Sequence, residues 1–107
     1  MIAVLFEAEI HPEQQPRYLQ LATDLKPLLA DIPGFIAIER FRSLADEGKM
    51  LSLSWWQDEN AVLAWKKNVF HQAAQQEGRE SIFSFYRIRI AQVMREYTSE
   101  NKGQHHV

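Results

Sequence analysis

A chain of 107 residues has room for one hydrophobic core and no second domain. Its 46% hydrophobic and 24% charged residues are the proportions of a soluble globular protein, and no apolar run approaches the ~18 residues of a membrane span. A net charge of −2 with dispersed basic residues argues against a nucleic-acid surface, and the absence of cysteine removes disulfides, thiolate catalysis and thiolate metal sites together.

The opening residues MIAVLFEAEI lack a basic leader and carry Glu7 and Glu9, so no signal peptide is expected and a cytoplasmic protein is predicted. Residues 2–10 alternate, with Ile2, Val4, Phe6, Ala8 and Ile10 on one face and Ala3, Leu5, Glu7 and Glu9 on the other. That is a strand. His11-Pro12 ends it, and either Pro12 or Pro16 is suited to open the helix that follows. Tyr18, Leu21, Ala22, Leu25, Leu28 and Leu29 recur at helical spacing and form one apolar stripe. Pro27 lies inside the pattern and is expected to kink the helix, and Pro33-Gly34 stops it.

Residues 35–42 alternate again, 43–49 read as a hairpin loop, and 50–56 form a third strand. Leu51, Leu53 and Trp55 fall on one face of that strand, Ser52, Ser54 and Trp56 on the other. Asp58 is the expected N-cap of a second helix carrying Ala61, Val62, Leu63 and Trp65. Asn68 is expected to interrupt it, with a short helical piece over 70–77 ending at Gly78. A long last strand is predicted over 82–97, with Tyr86, Ile88 and Ile90 on one face and Phe83, Phe85, Arg87, Arg89, Ala91 and Val93 on the other. The domain is expected to span 1–98, with a polar, disordered tail over 99–107.

The order β-α-β-β-α-β is the ferredoxin-like α+β arrangement, a four-stranded antiparallel sheet with both helices on one face. The helices are expected to cover Val4, Phe6, Ile36, Ile38, Leu51, Leu53, Trp55, Ile88 and Ile90. The far face would then expose Leu5, Phe35, Phe41, Trp56, Phe85 and Val93, an apolar patch too large to leave in water. A homodimer with sheets packed face to face resolves it, the end of the long last strand crossing onto the partner.

The stretches PGFIAIERF (33–41), SWWQDENAVLAWKKNVFHQAAQQEGRE (54–80) and YRIRIAQVMREY (86–97) resemble the antibiotic biosynthesis monooxygenase family. The resemblance covers roughly residues 2–97 and implies a dimeric α+β barrel with a pocket between helices and sheet in each subunit. Some members oxygenate aromatic polyketides without metal or flavin; others bind and degrade heme. The heme-degrading branch uses an Asn on the first strand, a Trp on the second helix and a ligating His beyond it. Here Phe6 or Glu7 stands in place of the Asn, Trp65 matches the Trp, and Ala74 falls where the ligand would be.

Within that frame Trp65 either stacks on a planar substrate or fills the helix–sheet interface. His71, six residues on, is the candidate general base, since an ordinary histidine pKa of about 6.5 suits deprotonation of a phenol; the bland alternative is a surface histidine. Phe6, Trp55, Phe70 and Tyr86 are the expected pocket lining. Arg87 and Arg89 share a face with Glu7 and Glu9, as either an anion clamp or a structural ion-pair ladder. No cluster of His, Asp and Glu suggests a metal, and none of the 4 glycines builds a phosphate loop. The reading is a cofactor-independent monooxygenase for a small planar aromatic or quinol-type molecule. The alternatives are a heme-binding, heme-degrading enzyme and a non-catalytic ligand-binding dimer.

Overall fold

The computed structural model describes residues 1–67 and 83–100. Strand β1 (Ile2–Ile10) leads through a single 3-10 turn, Pro12–Gln14, into helix α1 (Gln15–Ala30). Both candidate prolines are used, Pro12 opening the 3-10 turn and Pro16 the α-helix, where a missing amide costs nothing. Strands β2 (Phe35–Arg42) and β3 (Lys49–Trp56) form a hairpin, helix α2 (Glu59–Trp65) follows, and β4 (Phe83–Gln92) returns. The sheet is antiparallel in the order β2-β3-β1-β4, so the first strand lies at the centre beside the last. This is the ferredoxin-like α+β fold.

Local chemistry fixes the connections. Asp58 caps α2 by accepting the Ala61 amide at 2.9 Å. In the β2–β3 loop, Ser43 accepts from the Ala45 and Asp46 amides and Asp46 accepts from that of Gly48. Gly34 adopts φ +93°, a conformation that glycine reaches without a Cβ penalty, and its carbonyl receives the Gln57 amide at 2.8 Å. Helix α1 continues through Pro27. Thr23 and Pro27 are both exposed, so water can meet the carbonyl that loses its amide partner.

The core divides into two neighbouring clusters. One gathers Phe6, Ala8, Ile10, Tyr18, Leu21 and Met50; the other gathers Val4, Leu29, Trp56, Ala61, Val62 and Trp65. Leu28 is not part of either and is 51% exposed. It lies roughly 100° around the helix from Leu29, which takes the sheet-facing position.

The sheet faces differ from the sequence expectation in three places. On β3 the buried side chains are Met50, Ser52, Ser54 and Trp56, while Leu51, Leu53 and Trp55 point to the open face. Register sets this: Val4 pairs with Ser54 and Phe6 with Ser52, and cross-strand partners share a face. Choosing the more apolar of two alternating sets is therefore the wrong criterion here. The second difference is an irregularity between Phe35 and Ala37, which turns Phe35 toward Trp56 and leaves Ile36 exposed. The third is a register shift opposite Glu9–Ile10, which brings Phe83 onto the same side as Tyr86 and against Phe6. Ile90 is exposed rather than covered. Strand β4 ends at Gln92, short of the expected residue 97, although the Val93 amide still donates to the Met1 carbonyl. The expected helical piece over 70–77, the Asn68 interruption and residues 101–107 of the tail lie outside the described residues.

Candidate functional site

A cavity of about 60 Å³, measured as space for the centre of a water-sized sphere, lies between α1 and the sheet along the seam of the two clusters. At roughly 10–15 Å³ per water in that measure, it holds several waters or the body of a small molecule. Strand β1 contributes Val4 and Phe6, and α1 contributes Tyr18, Leu21, Ala22, Leu25 and Leu29. Trp65 closes the wall from the end of α2, and Phe83 from the start of β4. Among the described residues the wall is apolar except for Tyr18, Arg40, Ser52 and Ser54, which come from α1, β2 and β3.

Aromatic packing sets the walls. Phe6 stacks on Tyr86 with centroids 5.8 Å apart and meets the Phe83 edge at 5.5 Å, and Tyr18 meets Phe83 at 5.8 Å. Trp65 is 9% exposed and tilts 42° to Trp56 at 5.7 Å. Trp65 therefore fills the helix–sheet interface, the second of the two roles the sequence offered, and it also belongs to the cavity wall.

The serines that replace the expected leucines make the polar part of the floor. The Tyr18 hydroxyl and Ser52 Oγ are 3.1 Å apart and hydrogen-bonded in a buried setting. Trp56 Nε1 donates to Ser54 Oγ at 2.9 Å. Arg40 is cross-strand partner to Ser52, which pairs in turn with Phe6, so one row of the sheet runs Arg40–Ser52–Phe6. Arg40 Nε is buried and has no hydrogen-bond partner among the described residues. A buried donor left without an acceptor costs about 1–3 kcal/mol, and more when it carries charge. Native folds keep few such groups.

Of the residues expected at the site, Phe6 and Trp65 line the cavity, and Tyr86 packs behind Phe6 without facing it directly. Trp55 does not belong to it: it lies on the open face, opposite Ala3, and Trp56 occupies the helix side instead. His71 and Phe70 lie outside the described residues. Glu7 also points away from the cavity, with its carboxylate 3.6 Å from Lys49, 3.8 Å from Arg87 and 3.9 Å from Arg89. The two arginines thus form a structural network on the open face, worth at most about 1 kcal/mol per pair in water. Arg87 also lies 5.2 Å over the Phe85 ring. Arg40, Tyr18, Ser52 and Ser54 are the residues that sequence reasoning missed. Their signal was present: Arg40 has the parity of Ile38, and Ser52 and Ser54 that of Trp56. Among the described residues no group of His, Asp or Glu is placed to hold a metal.

These features define a ferredoxin-like α+β domain with a small, largely apolar pocket between helix and sheet. The chain belongs to the antibiotic biosynthesis monooxygenase family, whose model matches residues 1–77. It is 42% identical over 93 residues to the jasmonate monooxygenase ABM of Pyricularia oryzae, a match covering 87% of this chain. That match spans only 43% of the fungal protein, so this chain accounts for less than half of its length. It is 32% identical over 94 residues to the uncharacterized protein YqjZ of Bacillus subtilis, covering 88% of this chain and 80% of that one. Among solved structures, a MhuD variant with two manganese protoporphyrin IX molecules bound per active site superposes with TM-score 0.74 at 13% identity. The superposition covers 92% of this chain and 99% of that one, a likeness of fold alone.

Proposed function

We propose that this chain is a monooxygenase domain acting on a small, ring-bearing apolar molecule held between helix and sheet, without a tightly bound cofactor. The cavity walled by Phe6, Leu21, Leu29, Phe83 and Trp65 carries this reading, because its apolar and aromatic lining suits a ring. For a phenol or quinol the balance closes without a reductant. A ring C–H becomes C–O and the ring ends at the quinone level; four electrons pass to O₂, one oxygen atom ends in the product, and the other leaves in water with two hydrogens from the substrate. Trp65 would restrict the ring's orientation, and His71 is the proposed base that generates the electron-rich anion.

The heme alternative gains nothing from the fold likeness. Phe6, an apolar ring, lines the cavity at the position compared with the heme branch's Asn, and Glu7 is committed to the opposite face. The name of the Pyricularia relative supports a second substrate class, jasmonate itself. Placing one oxygen atom in that acid takes two electrons from an outside reductant.

Oxygen uptake by the purified protein with a panel of phenols and quinols, and with jasmonate plus ascorbate, tests the activity. Uptake matched by product is expected with at least one phenol or quinol, and His71→Ala is expected to lower kcat about 10²-fold or more. Uptake with jasmonate alone would move the substrate to the second class. Uptake with neither would leave a non-catalytic binding protein.

We also propose that two copies pack through the open sheet face. Leu5, Leu51, Leu53, Trp55 and Phe41 lie there, half-buried or exposed in the single chain. Light scattering after gel filtration is expected to give twice the mass of one chain. Leu53→Glu, which sets a charge opposite Leu5, is expected to give the monomer. An unchanged mass for the variant would place the interface elsewhere.

A further inference from the structure

We propose that the pocket carries an anion subsite, and that its ligand is a small organic acid with an apolar body whose carboxylate is received by Arg40. The inference rests on the pocket's being the ligand site, and it adds the head group of the ligand. Three observations carry it. Arg40 belongs to the cavity wall, and its Nε is a buried donor with no acceptor among the described residues. A guanidinium is always charged, and its planar fork matches a carboxylate in two parallel hydrogen bonds. Among the described residues the nearby acids do not serve it: on β2 the neighbouring Glu39 has the opposite parity, and Glu7 is engaged with Lys49, Arg87 and Arg89 across the sheet.

The second observation is the neighbouring hydroxyl pair. Ser52 is the cross-strand partner of Arg40 and is hydrogen-bonded to Tyr18 at 3.1 Å. Whichever hydroxyl donates in that bond, the accepting one keeps its own hydrogen to give. A charged donor and a neutral donor therefore belong to the same cavity wall, on paired residues of neighbouring strands. The third observation is what surrounds them. Among the described residues Phe6, Leu25, Ile38 and Trp65 line the cavity with apolar surface, so a ligand that satisfies Arg40 there brings a hydrophobic body with its charge. This arrangement discriminates strongly. A site built around a hydrogen-bonding group rejects the analogue that lacks its partner, because the buried donor is then left unmet.

Equilibrium binding separates this inference from the catalytic reading, since no turnover is needed. The probes are 3-phenylpropanoate and its neutral amide, 3-phenylpropanamide, titrated against tryptophan fluorescence and confirmed by calorimetry. The acid is expected to bind at least 10-fold more tightly than the amide. Arg40→Gln is expected to remove that preference while changing the amide's affinity less than about 3-fold. Arg40→Lys, which keeps the charge and loses the fork, is expected to retain only part of it. Circular dichroism checks that each variant is folded, and the wild-type comparison stands if Arg40→Gln is not. Equal binding of acid and amide would leave the pocket reading intact and overturn the anion subsite, with water satisfying Arg40 instead. A preference that survives Arg40→Gln would overturn it as well. Binding of neither probe would overturn the pocket as a ligand site and this inference with it.

Discussion

Trp56→Ala is expected to lower the free energy of unfolding by about 3–5 kcal/mol, the range for removing a large aromatic from a core. Trp56 is 0% exposed, meets Phe35 at 5.2 Å and Trp65 at 5.7 Å, and has its indole N–H bonded to Ser54. Val4 and Val62 in the same cluster are themselves fully buried, so the wall around the space it would leave is already close-packed. A domain of this size commonly has only about 5–15 kcal/mol in total. At about 4–8 °C per kcal/mol, the melting temperature should fall by some tens of degrees. Thermal and urea melts followed by circular dichroism measure it.

The companion variant Trp55→Ala makes the test specific to the face assignment. Trp55 lies opposite Ala3 on the open face and is half-buried. Its loss should act chiefly through association, so that the penalty shrinks as the protein is diluted. The Trp56→Ala penalty should persist at every concentration. If the two variants behaved the other way round, the β3 faces described above would be reversed.

The element order, the four strand positions, the Asp58 cap and the Pro33-Gly34 stop were all legible because each rests on local chemistry. The faces were not, and the reason is particular to this sheet. In a sheet with one wet side, the apolar half of an alternating strand points inward and marks its own register. Here β3 offers Leu51, Leu53 and Trp55 on one side and Ser52, Ser54 and Trp56 on the other. Composition favours the first set, but pairing with Val4 and Phe6 on β1 selects the second. The two irregularities, at Phe35–Ala37 and opposite Glu9–Ile10, each move one phenylalanine across the sheet, and a strict period of two does not register them.

The same error hid the polar half of the site. With Leu53 placed inward, Ser52 and Ser54 look like solvent-facing residues, and Tyr18 looks like one more member of the α1 stripe. With Ser52 inward, the Tyr18 hydroxyl has its partner and Arg40 falls into line beside it. Phe6 and Trp65 were legible because an aromatic on a core face is visible from periodicity alone. What a cavity does with a cation depends on which acceptors fail to reach it, and that is a property of three dimensions.

Gly34→Ala is expected to destabilise the protein by about 2–6 kcal/mol, through two separable effects. At φ +93° an L-residue is strained, at roughly 1–3 kcal/mol. A Cβ there would also stand 2.7 Å from the Cβ of Ala61, far inside contact distance. Overpacking of that kind costs about 1–3 kcal/mol. Neither neighbour yields easily. The Gly34 carbonyl is bonded to the Gln57 amide, and Ala61 sits one residue before the fully buried Val62, its own amide donating to the Asp58 cap of the helix. The double variant Gly34→Ala/Ala61→Gly separates the two effects. Removing the Ala61 methyl relieves the clash and leaves the strain, so the pair should be coupled favourably by about 1–2 kcal/mol despite the helix cost of the new glycine. Purely additive penalties would mean that backbone strain accounts for the whole effect. Because α2 carries Trp65 to the cavity, a clash that lifts the helix should also weaken binding of the aromatic probes in the single variant and restore it in the double one.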